Sequence, residues 1–178
     1  GYAVQARELT TQQSILQNQI EKLGSHVFKN GSMVIPGNVT FNLSYRAIRL
    51  TSNTGTLANF NGTTVTGGTS GIKAKVVNYV ATDGTDPDTL FVQYKDSGTD
   101  NIKAAFSDDE TITSDAATGE TAVVSQTSFG SVVHVNAGVF YINGYFVECA
   151  AQTLILDKYD NIPSYRIGFT INESFITS

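Results

Sequence analysis

The side chains able to do nucleophilic, acid–base or metal chemistry are few. His26 and His134 are the only histidines and Cys149 the only cysteine. A nucleophilic pair needs a thiolate beside an imidazole, so a Cys–His combination is arithmetically open. The contexts argue against it. His134 lies in the alternating run Val132-Val-His-Val135, and Cys149 ends Gly144-Tyr-Phe-Val-Glu-Cys, where a small buried strand residue is expected. His26 falls beside a helix end, where a partly positive imidazole suits the C-terminal dipole. One cysteine excludes both an intrachain disulfide and a cysteine-based zinc site.

The carboxylates cluster without forming a recognisable site. Asp83-Gly-Thr-Asp-Pro-Asp88 has the flavour of a cation loop. An EF-hand, however, requires alternating oxygen ligands, a central glycine and a closing bidentate glutamate; here the glycine comes second and no glutamate closes the loop. A turn held by Asp side chains is expected instead. Asp108-Asp-Glu110 reads as a solvated hairpin. No Gly-x-Ser-x-Gly, His-Glu-x-x-His or phosphate-binding glycine loop occurs. The expectation is a protein that is not an enzyme, with no catalytic, cofactor-binding or metal-ligating residue. The Asn-x-Ser/Thr triplets at Asn30, Asn38, Asn42, Asn61 and Asn172 follow from an Asn- and Thr-rich turn vocabulary. Phe140, Tyr141, Tyr145, Phe146, Tyr159, Tyr165 and Phe169 could line a sugar-binding surface, but strand alternation makes core and interface packing the default.

A net charge of −5 and the lack of a Lys/Arg stripe argue against a nucleic-acid partner. The apolar runs around Val132–Val135 and Val139–Ile142 are too short to span a membrane, and the first fifteen residues lack the order of a signal peptide. At 15% charged residues, with Gly, Thr, Ser and Asn abundant, the composition suits turn-rich β-structure.

The pattern predicts one helix from about Val4 to Leu23, ending at Gly24 as a C-cap. Tyr2, Ala6, Leu9, Gln13, Leu16, Ile20 and Leu23 alternate four and three apart, a heptad seam with one polar position. Leu9, Leu16, Ile20 and Leu23 are therefore candidate interface residues, to be covered either by the chain's own β-domain or by another subunit. Ile15 lies off this seam. Strands are expected at Ser32–Ile35, Val39–Leu43, Tyr45–Thr51, Ser131–Val135, Val139–Ile142, Tyr145–Glu148, Thr153–Leu156 and Tyr165–Ile171. Asn143-Gly144 is the strongest hairpin signal, since it supplies both positive-φ positions of a type I′ turn.

Between these flanks, Thr54–Gln126 holds ten of the sixteen acidic residues but only four of the eleven basic ones. It also carries an internal similarity. Phe60-Asn-Gly-Thr-Thr-Val-Thr-Gly-Gly-Thr-Ser-Gly-Ile-Lys-Ala-Lys-Val-Val and Phe106-Ser-Asp-Asp-Glu-Thr-Ile-Thr-Ser-Asp-Ala-Ala-Thr-Gly-Glu-Thr-Ala-Val-Val share one order. Each runs from an aromatic residue through Thr-apolar-Thr and a turn closed by Gly71 or Gly119 to an Ala/Val strand. Two such hairpins suggest a small barrel or sandwich with a pseudo-twofold axis. The expected fold is mainly β with one N-terminal α-helix. Residues 1–24 form the helix, 25–53 plus 128–178 a discontinuous β-domain, and 54–127 an inserted acidic β-module.

Gln5 through Gly37, containing Leu9-Thr-Thr-Gln-Gln-Ser-Ile-Leu-Gln-Asn-Gln-Ile20, resembles the N-terminal region of an uncharacterised virion-protein family of T4-like cyanophages and other tailed phages. Gly138-Val-Phe-Tyr-Ile-Asn-Gly-Tyr-Phe-Val147, Thr153-Leu-Ile-Leu-Asp-Lys-Tyr159 and Pro163-Ser-Tyr-Arg-Ile-Gly168 resemble its next block. The resemblance covers about half the chain, on both sides of the acidic stretch. It implies a structural protein of the virion tail or baseplate region, with other virion structural proteins as partners and a homo-oligomer, a trimer among the stoichiometries, as its state. Family members are longer, so this chain is expected to be an N-terminal portion. The alternative function is a host-surface recognition module that binds glycan or a receptor protein.

Overall fold

The computed structural model describes residues 6–174. Among the described residues one α-helix, α1 (Ala6–Val27), precedes ten strands: β1 (Ser32–Ile35), β2 (Val39–Asn53), β3 (Thr64–Gly67), β4 (Lys73–Val80), β5 (Thr89–Tyr94), β6 (Thr111–Ser114), β7 (Thr121–Val135), β8 (Gly138–Ile142), β9 (Tyr145–Cys149) and β10 (Gln152–Asp157), with a 3-10 turn at Leu57–Phe60. The fold is thus mainly β with a single N-terminal helix and two sheets, as the composition predicts. Tyr2 and Val4, the first positions assigned to the helix and its seam, lie outside the described residues.

Two compact units emerge: residues 1–41 with 133–154, and residues 42–132 with 155–178. Only the second crosses the charge boundaries, joining the acidic stretch to residues on both sides of it. The reason is strand length. Val39–Leu43 and Tyr45–Thr51 fuse into the 15-residue β2, and β7 is equally long, so the divisions between the units at 41/42 and 132/133 fall within these two strands and not at the ends of the acidic stretch.

In the first unit, β1, β8 and β9 form an antiparallel sheet in that order. The β8–β9 hairpin pairs Ile142 with Tyr145 at its tip and Gly138 with Cys149 at its base. Asn143 and Gly144 both adopt positive φ, 47° and 92°, the backbone a two-residue turn of this kind demands. Helix α1 packs on the Tyr141/Phe146 face. Phe28, just beyond the helix, sits edge-on to Phe146 with ring centroids 5.9 Å apart and tilted against Tyr141 at 5.7 Å.

The second unit is built on a closed ring. The order β7-β2-β5-β4-β3-β6 returns to β7 through a further β6–β7 pairing, while β10 adds to the outer side of β7. Closure removes the open edges of the six strands where they pair. The interior holds Ile48, Leu50, Val65, Ile72, Ala74, Val76, Leu90, Val92, Ile112, Ala122 and Val124, with Leu57, Phe60 and Phe106 closing over it.

The internal similarity has a structural counterpart here. In β3 and β6, Val65 pairs with Ser114, Thr66 with Thr113 and Gly67 with Ile112. A constant sequence offset maps this ladder onto itself, with Thr66·Thr113 at the centre. The buried pairs Val65/Ile112, Ala74/Ala122, Val76/Val124 and Phe60/Phe106 occupy equivalent places in the two hairpins. The pseudo-twofold axis therefore passes between β3 and β6.

Tyr165–Ile171 departs from expectation: residues 162–174 belong to no strand. Strand formation needs a hydrogen-bonding neighbour as well as a suitable sequence. Gly24 departs too, lying inside α1 rather than ending it, because the helix continues to Val27.

Candidate interaction surfaces

The groups first considered for chemistry are occupied by structural hydrogen bonds. His26 Nδ1 is 2.7 Å from the Lys22 carbonyl oxygen, within the helix. His134 places Nδ1 2.7 Å from the Thr153 hydroxyl and Nε2 3.0 Å from Asn136 Oδ1. Neither ring engages Cys149, whose thiol lies 3.6 Å from the Ala150 carbonyl oxygen. Among the described residues, no group of three His, Cys, Asp or Glu side chains is placed to hold a metal ion.

The Asp83–Asp88 loop is organised by its own backbone and by a lysine. Asp83 Oδ1 accepts the Thr85 and Asp86 amides at 3.0 and 2.8 Å, and Asp88 Oδ1 accepts the Thr82 amide at 2.8 Å. Lys158 Nζ bridges Asp83 and Asp86 at 2.8 and 3.0 Å. The Asp86 amide, then Lys158, hold the Asp83 carboxyl well below its ordinary range. The same two carboxylates hold the Lys158 ammonium above its own.

Glu110 corrects the expectation of a solvated hairpin. It is buried, and its carboxylate accepts backbone amides from Thr69 at 2.8 Å, from Ser70, and from Ser107 at 3.0 Å. Burial pushes the carboxyl up, yet the hydrogen bonds led by Ser70 and Ser107 outweigh it and leave the group below its ordinary value. An acid of the second hairpin thus caps the Gly67–Gly71 turn of the first. Glu120 is likewise buried, accepting from Asn59 Nδ2 and the Thr118 hydroxyl, each at 2.6 Å. Sequence reasoning missed both, because a turn acid reads as solvated unless the amides it caps are known.

The predicted interface residues of α1 come together as one stripe. Leu9, Leu16, Ile20 and Leu23 are 54%, 52%, 51% and 68% exposed. Extension of the helix adds Val27, also exposed, at the next heptad position. Ile15 is exposed off the stripe.

The helix docks on its own sheet through a different face. Gln17 Nε2 donates to the Tyr145 hydroxyl at 3.0 Å, and the Tyr141 hydroxyl donates to the Glu21 carbonyl at 3.0 Å and lies 3.0 Å from Ser25 Oγ. A Cβ on Gly24 would come within 2.7 Å of Tyr141 Cζ. Gln17, Glu21, Gly24 and Phe28 lie roughly a quarter turn from the Leu9–Val27 stripe at 3.6 residues per turn. Packing on its own β-domain therefore does not account for the stripe.

The stripe has features suited to self-association. Leu9, Leu16 and Leu23 stand at one seam position and Ala6, Gln13, Ile20 and Val27 at the other; β-branched residues opposite a leucine position suit parallel helices in low-order bundles, and a single polar residue there fixes register. The flanking positions are Thr10, Gln12, Gln17, Gln19, Gly24 and His26, so no like-charge pair opposes parallel alignment. Covering the exposed part of each large residue is worth roughly 1 kcal/mol.

Other apolar groups are also exposed. Val39, Phe41 and Leu43 line one side of β2, and Tyr145, Phe146 and Val147 follow one another along β9. Among the described residues no helix is long and apolar enough to cross a membrane. No family model, curated protein or solved structure matches the chain.

Proposed function

We infer that the chain is a structural component of a tailed-phage virion, in its tail or baseplate region or connecting a fibre, and that it acts through protein–protein contacts. The observation that carries this reading is the exposed Leu9–Leu16–Ile20–Leu23–Val27 stripe on a helix already docked by another face. A patch of that extent and regularity is the signature of a protein contact. Parallel self-association through it gives a homo-oligomer with the β-units arranged about a helical axis. The virion assignment comes from the likeness of the α1 and β8–β9 segments to the tailed-phage family.

The recognition alternative would need the exposed aromatics to form one stacking platform. The Tyr145 hydroxyl accepts from Gln17, and Phe146 packs against Phe28 and Tyr141, so both side chains already engage the helix segment of their own chain. The test is location: antibodies against the purified chain, applied to particles of the phage that encodes it, are expected to label the tail or baseplate. Particles that lack the chain, intact or dissociated, would overturn the assignment.

A further inference from the structure

One mouth of the barrel lies where the β2–β5 ladder stops. That ladder runs from Arg49 opposite Thr89 to Arg46 opposite Val92. Arg46 continues the inward alternation of Leu50 and Ile48, and Tyr94 that of Leu90 and Val92. Both side chains therefore belong to the inner face at this mouth. Together with Asn42, Ser44, Val77 and Gln93 they line a cleft of about 470 Å³. The cleft lies wholly within the second compact unit. Its volume falls in the range of about 300–1,000 Å³ that small-ligand sites occupy, and barrel mouths are a common place for them.

Arg46 is the only charged side chain among the described residues that line the cleft. Its guanidinium carbon lies 4.0 Å from the centre of the Phe129 ring, a stacked contact that fixes one face and leaves the edge N–H groups for an acceptor. Among the described residues the ion pairs are those of Lys158 with Asp83 and Asp86, so no carboxylate neutralises Arg46. Glu110, whose charge also reaches Tyr94, is engaged by the amides of Thr69, Ser70 and Ser107. The Tyr94 hydroxyl accepts the Phe106 amide at 3.3 Å. Burial pushes that hydroxyl above its ordinary value, so at neutral pH it keeps a proton to donate.

We propose that this mouth binds a small hydroxylated carboxylate of the sugar-acid class, with its carboxylate on Arg46 and its hydroxyls on Asn42, Ser44, Gln93 and Tyr94. The planar guanidinium fork matches a carboxylate in a two-pronged contact. Side-chain amides and hydroxyls supply both donors and acceptors, as sugar hydroxyls require, and Val77 offers an apolar wall for ring C–H groups. A phosphate group carries more charge and is met by several cations or a nest of backbone amides, whereas this lining holds one cation. The inference goes beyond the contacts proposed for α1 and does not depend on them.

The experiment is titration of the full chain with d-glucuronate, d-galacturonate and N-acetylneuraminate, followed by backbone amide chemical shifts. At least one of the three is expected to saturate a single site, with the largest shifts at Ser44, Val77 and Gln93. Arg46→Gln should weaken that binding about tenfold or more, the scale of a lost charge-assisted pair. The methyl ester of the same sugar acid should bind the unchanged protein more weakly by a similar factor, an arm that stands even if the variant folds poorly. Saturation by none of the three acids, or shifts confined to other parts of the chain, would overturn the proposal. Equal binding by acid and ester, or by wild type and Arg46→Gln, would overturn the role of Arg46. Inorganic phosphate binding as tightly as the acids would overturn the sugar-acid class.

Discussion

Tyr141 of β8 lies against Gly24 of α1 so closely that the helix can dock only because residue 24 has no side chain. A Cβ there would fall within 2.7 Å of the tyrosine Cζ, while the hydroxyl of the same ring donates to the Glu21 carbonyl at 3.0 Å. This contact fixes which helix face turns inward, and so which turns outward.

Gly24→Ala is the direct test of that contact. In an isolated helix alanine would gain about 1 kcal/mol over glycine. Overpacking against Tyr141 costs about 1–3 kcal/mol, so a net loss is expected. Thermal melting should show it, with faster amide exchange in α1, β8 and β9. A stabilised variant would mean that the helix docks otherwise.

Glu110 should make the β-barrel acid-sensitive. Its folded-state carboxyl lies below the ordinary glutamate value of 4.5. Its stabilisation is therefore complete above that value and is lost as pH falls through the lower folded-state one. Glu110→Gln loses one acceptor and leaves amides of Ser70, Thr69 or Ser107 unsatisfied, costing about 1–3 kcal/mol at neutral pH. The gap between wild type and variant should narrow as pH drops below 4.5. Parallel stability–pH profiles would contradict the capping role.

The Asp83–Asp88 loop is expected to bind no calcium, because Lys158 already occupies the space between Asp83 and Asp86. Calorimetric titration of the full chain with calcium should give no saturable heat. Lys158→Met should slightly lower the melting temperature, and salt should shrink that difference because the pair lies at the surface. Saturable binding at one site per chain would restore the cation-loop reading.

Much of the fold was legible because it is local. The heptad spacing found α1, Asn143-Gly144 found the β8–β9 turn, and the Phe60 and Phe106 repeats found two hairpins whose pairing the structure then supplied. The misreadings share a different cause. Gly24 reads as a helix stop until Tyr141, more than a hundred residues away, explains it. Glu110 reads as solvated until the Thr69 and Ser70 amides are seen to converge on it. Tyr165–Ile171 has every intrinsic property of a strand, and sequence alone does not say whether a neighbour exists. Spacing likewise identified the Leu9–Leu23 stripe, but only the three-dimensional docking of α1 shows that its own sheet leaves the stripe uncovered.

The central claim is that this stripe is covered by other copies of the chain. Sedimentation equilibrium of the full chain beside the L16S/I20S double variant tests it most directly. The wild type should sediment at an integral multiple of 19.1 kDa. The variant should fall to the single-chain mass while the barrel melts at an unchanged temperature. A wild type of single-chain mass at all concentrations, or a variant that keeps the wild-type mass, would contradict the account.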